Sequence, residues 1–279
     1  MACYLAASLR NNLPPEVELI GYCPEHRYAE LPDHVIETLR RMNCEVRTFD
    51  AIDKFNPEYP HGNKILAAQE KRGTQYSAFM DSDILMLDRV DLSDWIKSGH
   101  VSASPAASML WAPQTIWTEL YTAFDMEVPT ERIMLMRDKR SAKIPYYSSG
   151  FIVFPEKATN GGLRFPDVWM DTALTIDRHT SVEKKRPYLD QLSLPIAIKR
   201  AGLNWNELPE EHHFILGGKL RGKAFPSDRD IKLVHYRAWL VLEENGLTRN
   251  GYRGLARQIG TRRVSNVFKY DENTKKLIR

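Results

Sequence analysis

The sequence predicts an α/β fold: a mixed, mostly parallel sheet flanked by helices. Two observations carry this. Apolar runs with strand character at 17–23, 44–50 and 74–87 alternate with segments at 5–13, 33–43 and 62–73 whose apolar residues recur at helical spacing. With 43% hydrophobic residues, the 279-residue chain can bury one large α/β core, or a core domain with a smaller appendage. In such folds ligands sit outside the carboxyl ends of the strands.

The elements follow in order. Leu5, Ala6, Leu9 and Leu13 fall at helical spacing before Pro14 and Pro15, so the chain opens on a helix. VELIGYC at 17–23 reads as a buried strand, DHVIETLRRMN at 33–43 as a helix with Asp33 as N-cap, and CEVRTFD at 44–50 as a second strand. GNKILAAQEKRG at 62–73 fits a helix closed by Gly73, and TQYSAFMDSDILML supplies a strand that ends in an acidic pair, Asp81 and Asp83. HVSASPA is a short strand and loop. APQTIWTELYTAFDM is helical, its aromatic face of Trp117, Tyr121 and Phe124 reading as core. YYSSGFIVFP at 146–155 is strand-like, and GLRFPDVWMDTALTID leads into a helix. PYLDQLSLPIAIKRAG at 187–202 is a helix closed by Gly202, and KLVHYRAW at 232–239 is a strand running into a loop. The domain reading is 1–245 as the main domain and 246–279 as a basic C-terminal extension. That extension carries Arg253, Arg257, Arg262, Arg263, Lys269, Lys275 and Lys276, either as a solvated face or as a patch for peripheral membrane contact.

Composition narrows the function classes. A formal charge of +3 with Lys and Arg spread along the chain gives no support to nucleic-acid binding. Cys3, Cys23 and Cys44 lack CxxC spacing and read as buried thiols of a reducing compartment rather than zinc ligands. No apolar stretch approaches the ~20 residues that span a bilayer, and Met1 to Pro14 lacks the basic head and long apolar core of a secretory leader. The expected location is cytoplasmic.

The acidic pair carries the chemistry. At a strand end the backbone turns, so that carboxylates at i and i+2 can converge on one cation. Hard oxygen ligands suit Mg²⁺ or Mn²⁺, which keep open positions for diphosphate oxygens. The alternative for the same residues is turn chemistry, with Asp83 or Asp88 capping a loop. A phosphatase of the haloacid-dehalogenase type would use the first Asp as nucleophile, with Thr or Val two residues after the second. Leu85 stands there, and the motif follows two earlier strands rather than lying on the first.

Four separated segments are similar to a different family. SAFMDSDILML resembles the DxD strand of nucleotide-sugar glycosyltransferases of the GT-A type, YYSSGFIVFP their NSG segment, YLDQLSL their DQ helix start, and KLVHYRAW the late strand whose histidine completes the metal site. Order and spacing resemble glycosyltransferase family eight, the glycogenin-like and bacterial lipopolysaccharide enzymes, and its unclassified relatives, from about Leu5 to Trp239. The resemblance implies a GT-A, Rossmann-like fold. It also implies metal-dependent transfer of a sugar from a nucleoside-diphosphate donor, UDP-linked, to a glycan or other hydroxyl acceptor, with retention of anomeric configuration.

Carried over by motif position, the resemblance makes Asp81, Asp83 and His235 the ligands of Mn²⁺ or Mg²⁺. Asp81 also lies near the donor ribose, with Ser82 beside it. Asp190 and Gln191 match the DQ pair, implied to contact the transferred sugar or acceptor. Asp190 has a second reading, as a charge complementing the positive end of its helix. Ser149 and Gly150 match the NSG segment, in which Ser148 replaces the family's Asn and leaves sugar identity open. Asn63 and Lys64 match a polar and basic pair ahead of the DxD, where Lys64 could reach donor phosphates from a helix start. Lys219, with Arg221 and Lys223 in GGKLRGKAF, is a second candidate for the diphosphate.

The family begins with a nucleotide-gripping strand before the helix that YLAASLRNN resembles, so the expectation is a sheet without its usual first strand. Two alternatives stay open: a metal-dependent phosphatase or nucleotidyltransferase using the same acidic pair, and a catalytically degenerate GT-A domain that binds nucleotide or glycan.

Overall fold

The structure is a computed structural model and describes residues 1–278 apart from 160, 179–180 and 217–224. Its helices and strands are, in chain order, α1 (Ala2–Asn12), β1 (Leu19–Pro24), α2 (Asp33–Arg40), β2 (Cys44–Phe49), α3 (Asn63–Gln69), β3 (Tyr76–Met80), β4 (Ile84–Met86), β5 (His100–Pro105) and α4 (Ile116–Thr122). Then come β6 (Tyr147–Pro155), α5 (Phe165–Arg178), α6 (Leu189–Arg200), β7 (Asn204–Glu207), β8 (Phe214–Ile215), β9 (Leu233–His235), α7 (Trp239–Glu244) and α8 (Thr248–Ile259). The chain divides into two compact units. The first comprises Met1–Asp50, Asp81–Asp91 and Glu211–Arg279, and the second Ala51–Met80 and Leu92–Glu210.

In the first unit β1 and β2 run parallel, and β4, β9 and β8 form a second sheet in that order, antiparallel then parallel. α1 lies at the centre of its packing. Cys3, Ala6 and Ala7 pack with Leu39, Met42, Cys44, Leu255, Ile259 and Val267, so residues beyond 246 contribute to this core. Close approach of α8 to α1 depends on small residues: Gly251 and Gly254 are buried, and a Cβ on Gly254 would stand 3.2 Å from Asn11 Nδ2. That amide nitrogen donates to the Gly254 carbonyl (3.0 Å), and Gln258 donates to Asn11 Oδ1 (2.9 Å). Arg249, Arg253 and Arg257, four residues apart, remain exposed on the other face of α8. Burial pushes the thiols of Cys3 and Cys44 up to about 11, so neither is a thiolate at neutral pH.

The second unit is built on a four-stranded sheet, β3-β6-β5-β7, with β6 antiparallel to both neighbours and β5 parallel to β7. β6 is buried along nearly its whole length, as the apolar run of YYSSGFIVFP requires of a central strand. Trp117, Phe151, Phe154, Phe165 and Trp169 are fully buried around it. The buried carboxylate of Glu156 is held by Arg72 (2.7 Å) and Arg164 (2.6 Å), which supplies the charge compensation its burial demands.

Element boundaries depart from the sequence reading, as three examples show. Asp33 lies inside the first turn of α2 and Pro32 is the N-cap. α3 stops at Gln69, not at Gly73, because the Arg72 guanidinium donates to the carbonyls of Ala67 (3.1 Å) and Ala68 (2.6 Å) and so satisfies the end of the helix. The single strand expected through the acidic pair is two, β3 and β4, in different sheets, with Asp81, Ser82 and Asp83 as the break. Gly202 closes α6 as expected, in the left-handed region (φ 66°) with its N–H on the Lys199 carbonyl (2.9 Å). No helix among the described residues is long and apolar enough to cross a membrane.

Candidate functional site

The acidic pair sits where regular pairing resumes after a turn. The Ile84 N–H donates to the Asp81 carbonyl (3.1 Å), which closes the turn, and β4 then pairs antiparallel with β9 so that Ile84 faces His235. The Tyr236 N–H continues the ladder to the Asp83 carbonyl (3.0 Å). β4 is pinned from its other side by α1: the Met86 N–H donates to Ser8 Oγ (3.0 Å), whose hydroxyl donates to the Leu5 carbonyl (2.8 Å). Ile84, Leu85 and Met86 are buried, so the platform beneath the turn is rigid.

This frame brings His235 Nε2 to 3.2 Å from Asp83 Oδ1 and 3.9 Å from Asp81 Oδ2. One ligand atom from each of the three residues lies within 4.8 Å of the others. His235 is 7% exposed, while the side chains of Asp81 and Asp83 keep 23% and 20% of their surface open to solvent. Two carboxylates and one imidazole, open on one side, fit a Mn²⁺ or Mg²⁺ ion that retains positions for other oxygen ligands. Ser82 between them is exposed. The backbone leaves the site sharply: Arg237 takes a left-handed conformation (φ 61°) two residues after His235. Behind His235, on the side away from the carboxylates, His213 Nε2 lies 3.1 Å from its Nδ1.

The second unit holds a different polar centre. Lys64, in the first turn of α3, places Nζ 3.0 Å from Asp190 Oδ2 and 3.2 Å from Ser149 Oγ. Ser149, on β6, donates to the same carboxylate oxygen (2.5 Å), and the Tyr59 hydroxyl donates to Oδ1 (2.7 Å). Asp190 is 1% exposed, in the first turn of α6. Burial alone would push its carboxyl up. The Lys64 ammonium and the hydrogen bonds from Ser149 and Tyr59 outweigh that and hold it below the usual carboxylate value. The same burial, with the Asp190 charge beside it, raises the Tyr59 hydroxyl well above the ordinary range. Tyr59 is packed on Phe55, and Gly62 is required there: a Cβ would come within 2.5 Å of Phe55 and 2.8 Å of Tyr59.

Asp81, Asp83 and His235 thus converge, and so, separately, do Lys64, Ser149 and Asp190. Lys64 has its ammonium on Asp190 rather than extended from a helix start. Asn63 and Gln191 are half-buried next to Lys64 and Asp190 in the chain, and Gly150 is buried on β6 after Ser149. Lys219, Arg221 and Lys223 lie outside the described residues. Sequence reasoning missed Tyr59 and His213. Their only local signals are the aromatic cluster before Gly62 and the paired histidines His212 and His213 ahead of β8.

The family model for the Rhodobacterales glycosyltransferase domain matches residues 1–202. The chain belongs to this family. A Rhodobacterales glycosyltransferase domain therefore contains both the acidic turn and the Lys64, Ser149 and Asp190 cluster within its matched span, with His235 beyond it. Among solved structures, the bifunctional glycosyltransferase WbbM in its apo form is similar at a TM-score of 0.52 and 14% identity, over 96% of this chain. The match covers 49% of WbbM, so this chain spans about half of that protein's length. An active-site mutant of LgtC is similar at a TM-score of 0.51 and 12% identity, over 91% of this chain and 96% of that one. At these identities the likeness concerns the fold, which is GT-A. A sequence comparison with curated proteins finds no match.

Proposed function

We propose that this glycosyltransferase moves a sugar from a nucleoside-diphosphate donor, UDP-linked, to a glycan or other hydroxyl acceptor with retention of anomeric configuration. In this reading Asp81, Asp83 and His235 hold Mn²⁺ or Mg²⁺. The observation that carries it is the convergence of two half-exposed carboxylates and a buried imidazole at the turn between β3 and β4. A divalent cation is the counter-charge that such an oxygen and nitrogen donor set takes up. The cation supplies positive charge that stabilises the diphosphate as it leaves. Asp83 is the principal ligand, and Asp81 with Ser82 also faces the donor ribose.

In the second unit, Lys64, Asn63, Ser149 and Gly150 are read as donor contacts and Asp190 and Gln191 as the pair that meets the transferred sugar or acceptor. The geometry supports a division of labour between the last two. Asp190 is buried and hydrogen-bonded through both oxygens, which suits it to orient Lys64 and Ser149, and the half-buried Gln191 is read as the member of the pair that meets a hydroxyl. Lys219 remains a candidate for the diphosphate. Residues 1–245 carry catalysis in a cytoplasmic protein. The basic segment 246–279, packed on α1 through α8, contacts membrane peripherally through Arg253 and Arg257.

The test is calorimetric binding of UDP, with GDP and CDP as controls, with and without Mn²⁺, to the full chain and to Asp83→Ala. UDP binding that requires both Mn²⁺ and Asp83 is expected. Nucleotide binding that ignores both would remove the cation site from the function.

A further inference from the structure

We infer that His213 is a positioning residue for the cation site: it accepts the Nδ1–H of His235 and so fixes that ring with a bare Nε2 directed at Asp81 and Asp83. This rests on the reading of Asp81, Asp83 and His235 as cation ligands. A neutral imidazole carries one proton, so coordination through Nε2 puts that proton on Nδ1. Nδ1 then needs an acceptor, because His235 is 7% exposed and a buried N–H left without one is costly; His213, itself fully buried, takes that role through Nε2 and carries its own proton on Nδ1.

The geometry meets that need. His213 Nε2 stands 3.1 Å from His235 Nδ1, and the two rings lie within 12° of parallel with centroids 5.2 Å apart. A centroid separation that large at that N···N distance means the rings lie end to end, close to one plane, rather than face on face. The hydrogen therefore points along the acceptor's in-plane lone pair, the favourable direction. Both rings hang on paired backbone. His213 directly precedes β8, which runs parallel to β9 with Ile215 opposite His235, and the Leu216 N–H donates to the His235 carbonyl (2.9 Å).

The choice of a histidine as acceptor has an electrostatic consequence. Ligating histidines commonly donate their second N–H to a carboxylate or a carbonyl. A carboxylate here would add a third negative charge beside Asp81 and Asp83. An imidazole acceptor adds none.

The experiment measures Mn²⁺ affinity of the full chain by electron paramagnetic resonance of the free ion, for the unsubstituted protein, His213→Phe, His213→Gln and Asp83→Ala. It is paired with ¹⁵N NMR of the histidine rings in the Mg²⁺-loaded unsubstituted protein. His213→Phe is expected to weaken Mn²⁺ binding by about 10- to 100-fold, and His213→Gln, whose amide oxygen accepts, to restore most of it. The NMR is expected to show His235 protonated at Nδ1. Phe binding as tightly as the unsubstituted protein, Gln as weakly as Phe, or a proton on Nε2 in the loaded protein overturns the role of His213 while Asp83-dependent binding persists. Absence of Mn²⁺ binding, or binding indifferent to Asp83→Ala, overturns the cation reading and this inference with it. Should His213→Phe fail to fold, judged by circular dichroism, the Gln variant and the NMR readout decide.

Discussion

Two polar centres are built from the same kinds of residue and solve opposite problems. In the first unit, Asp81 and Asp83 stand partly open to solvent with one imidazole nitrogen against them. In the second, Asp190 is closed off from water, and one ammonium and two hydroxyls satisfy its carboxylate. Carboxylates left partly open at a turn are an arrangement for taking up a cation. Charge neutralised in the interior is an arrangement for holding side chains still. Each centre can therefore be broken in its own way, and the contrast sets the order of expected effects.

The largest loss of stability belongs to the closed centre. Lys64→Met strands a buried carboxylate and should cost about 3–5 kcal/mol in urea unfolding. Adding Asp190→Asn should recover much of that, and a double-mutant cycle with no coupling between the two positions would show the pair to be incidental. The open centre should respond differently. Asp83→Ala, at a partly exposed carboxylate, should change metal-free stability little. Mn²⁺ at about 100 times its dissociation constant should stabilise the unsubstituted chain by about 2.7 kcal/mol and the variant not at all, as read by thermal unfolding with and without the ion.

Smaller effects sharpen the same contrast. Gly62→Ala should cost about 1–3 kcal/mol through overpacking against Phe55 and Tyr59. It should also disturb Lys64, two residues on, so that Gly62→Ala added to Lys64→Met costs less than the sum of the two changes in urea unfolding. The pH dependence is subtler. Asp190 has its folded value below its unfolded one, so the stability it adds is complete above about pH 4 and is lost as pH falls through the lower folded value. Acid unfolding of the unsubstituted protein should therefore include a component below pH 4 that Asp190→Asn lacks.

Much of this architecture was legible along the chain. The helical spacing of Leu5, Ala6 and Leu9, the apolar run of β6 and the Gly202 stop each correspond to an observed element, because each is a local pattern with a local physical cause. Boundaries failed where a distant group intervened. α3 ends early because Arg72, beyond its last turn, takes its carbonyls, and the expected long strand breaks at Asp81 because its two halves pair with different partners, β6 and β9.

The candidate sites divide the same way. The cost of paired carboxylates at a strand end drew attention to Asp81 and Asp83, and resemblance to the family's motifs added His235. Sequence alone also nominated Lys64, Ser149 and Asp190, but not that they form one neutralised cluster, nor that Tyr59 completes it. His213 carried no signal beyond a neighbouring histidine. Hydrogen-bond partners for buried groups come from wherever the fold brings the chain: Tyr59 is 131 residues from Asp190, and His213 is 22 from His235. The order of residues set the class of fold and the chemistry available to it. Which carboxylates stay open and which are closed off was settled by packing, because burial and pairing are properties of the packed chain rather than of any segment.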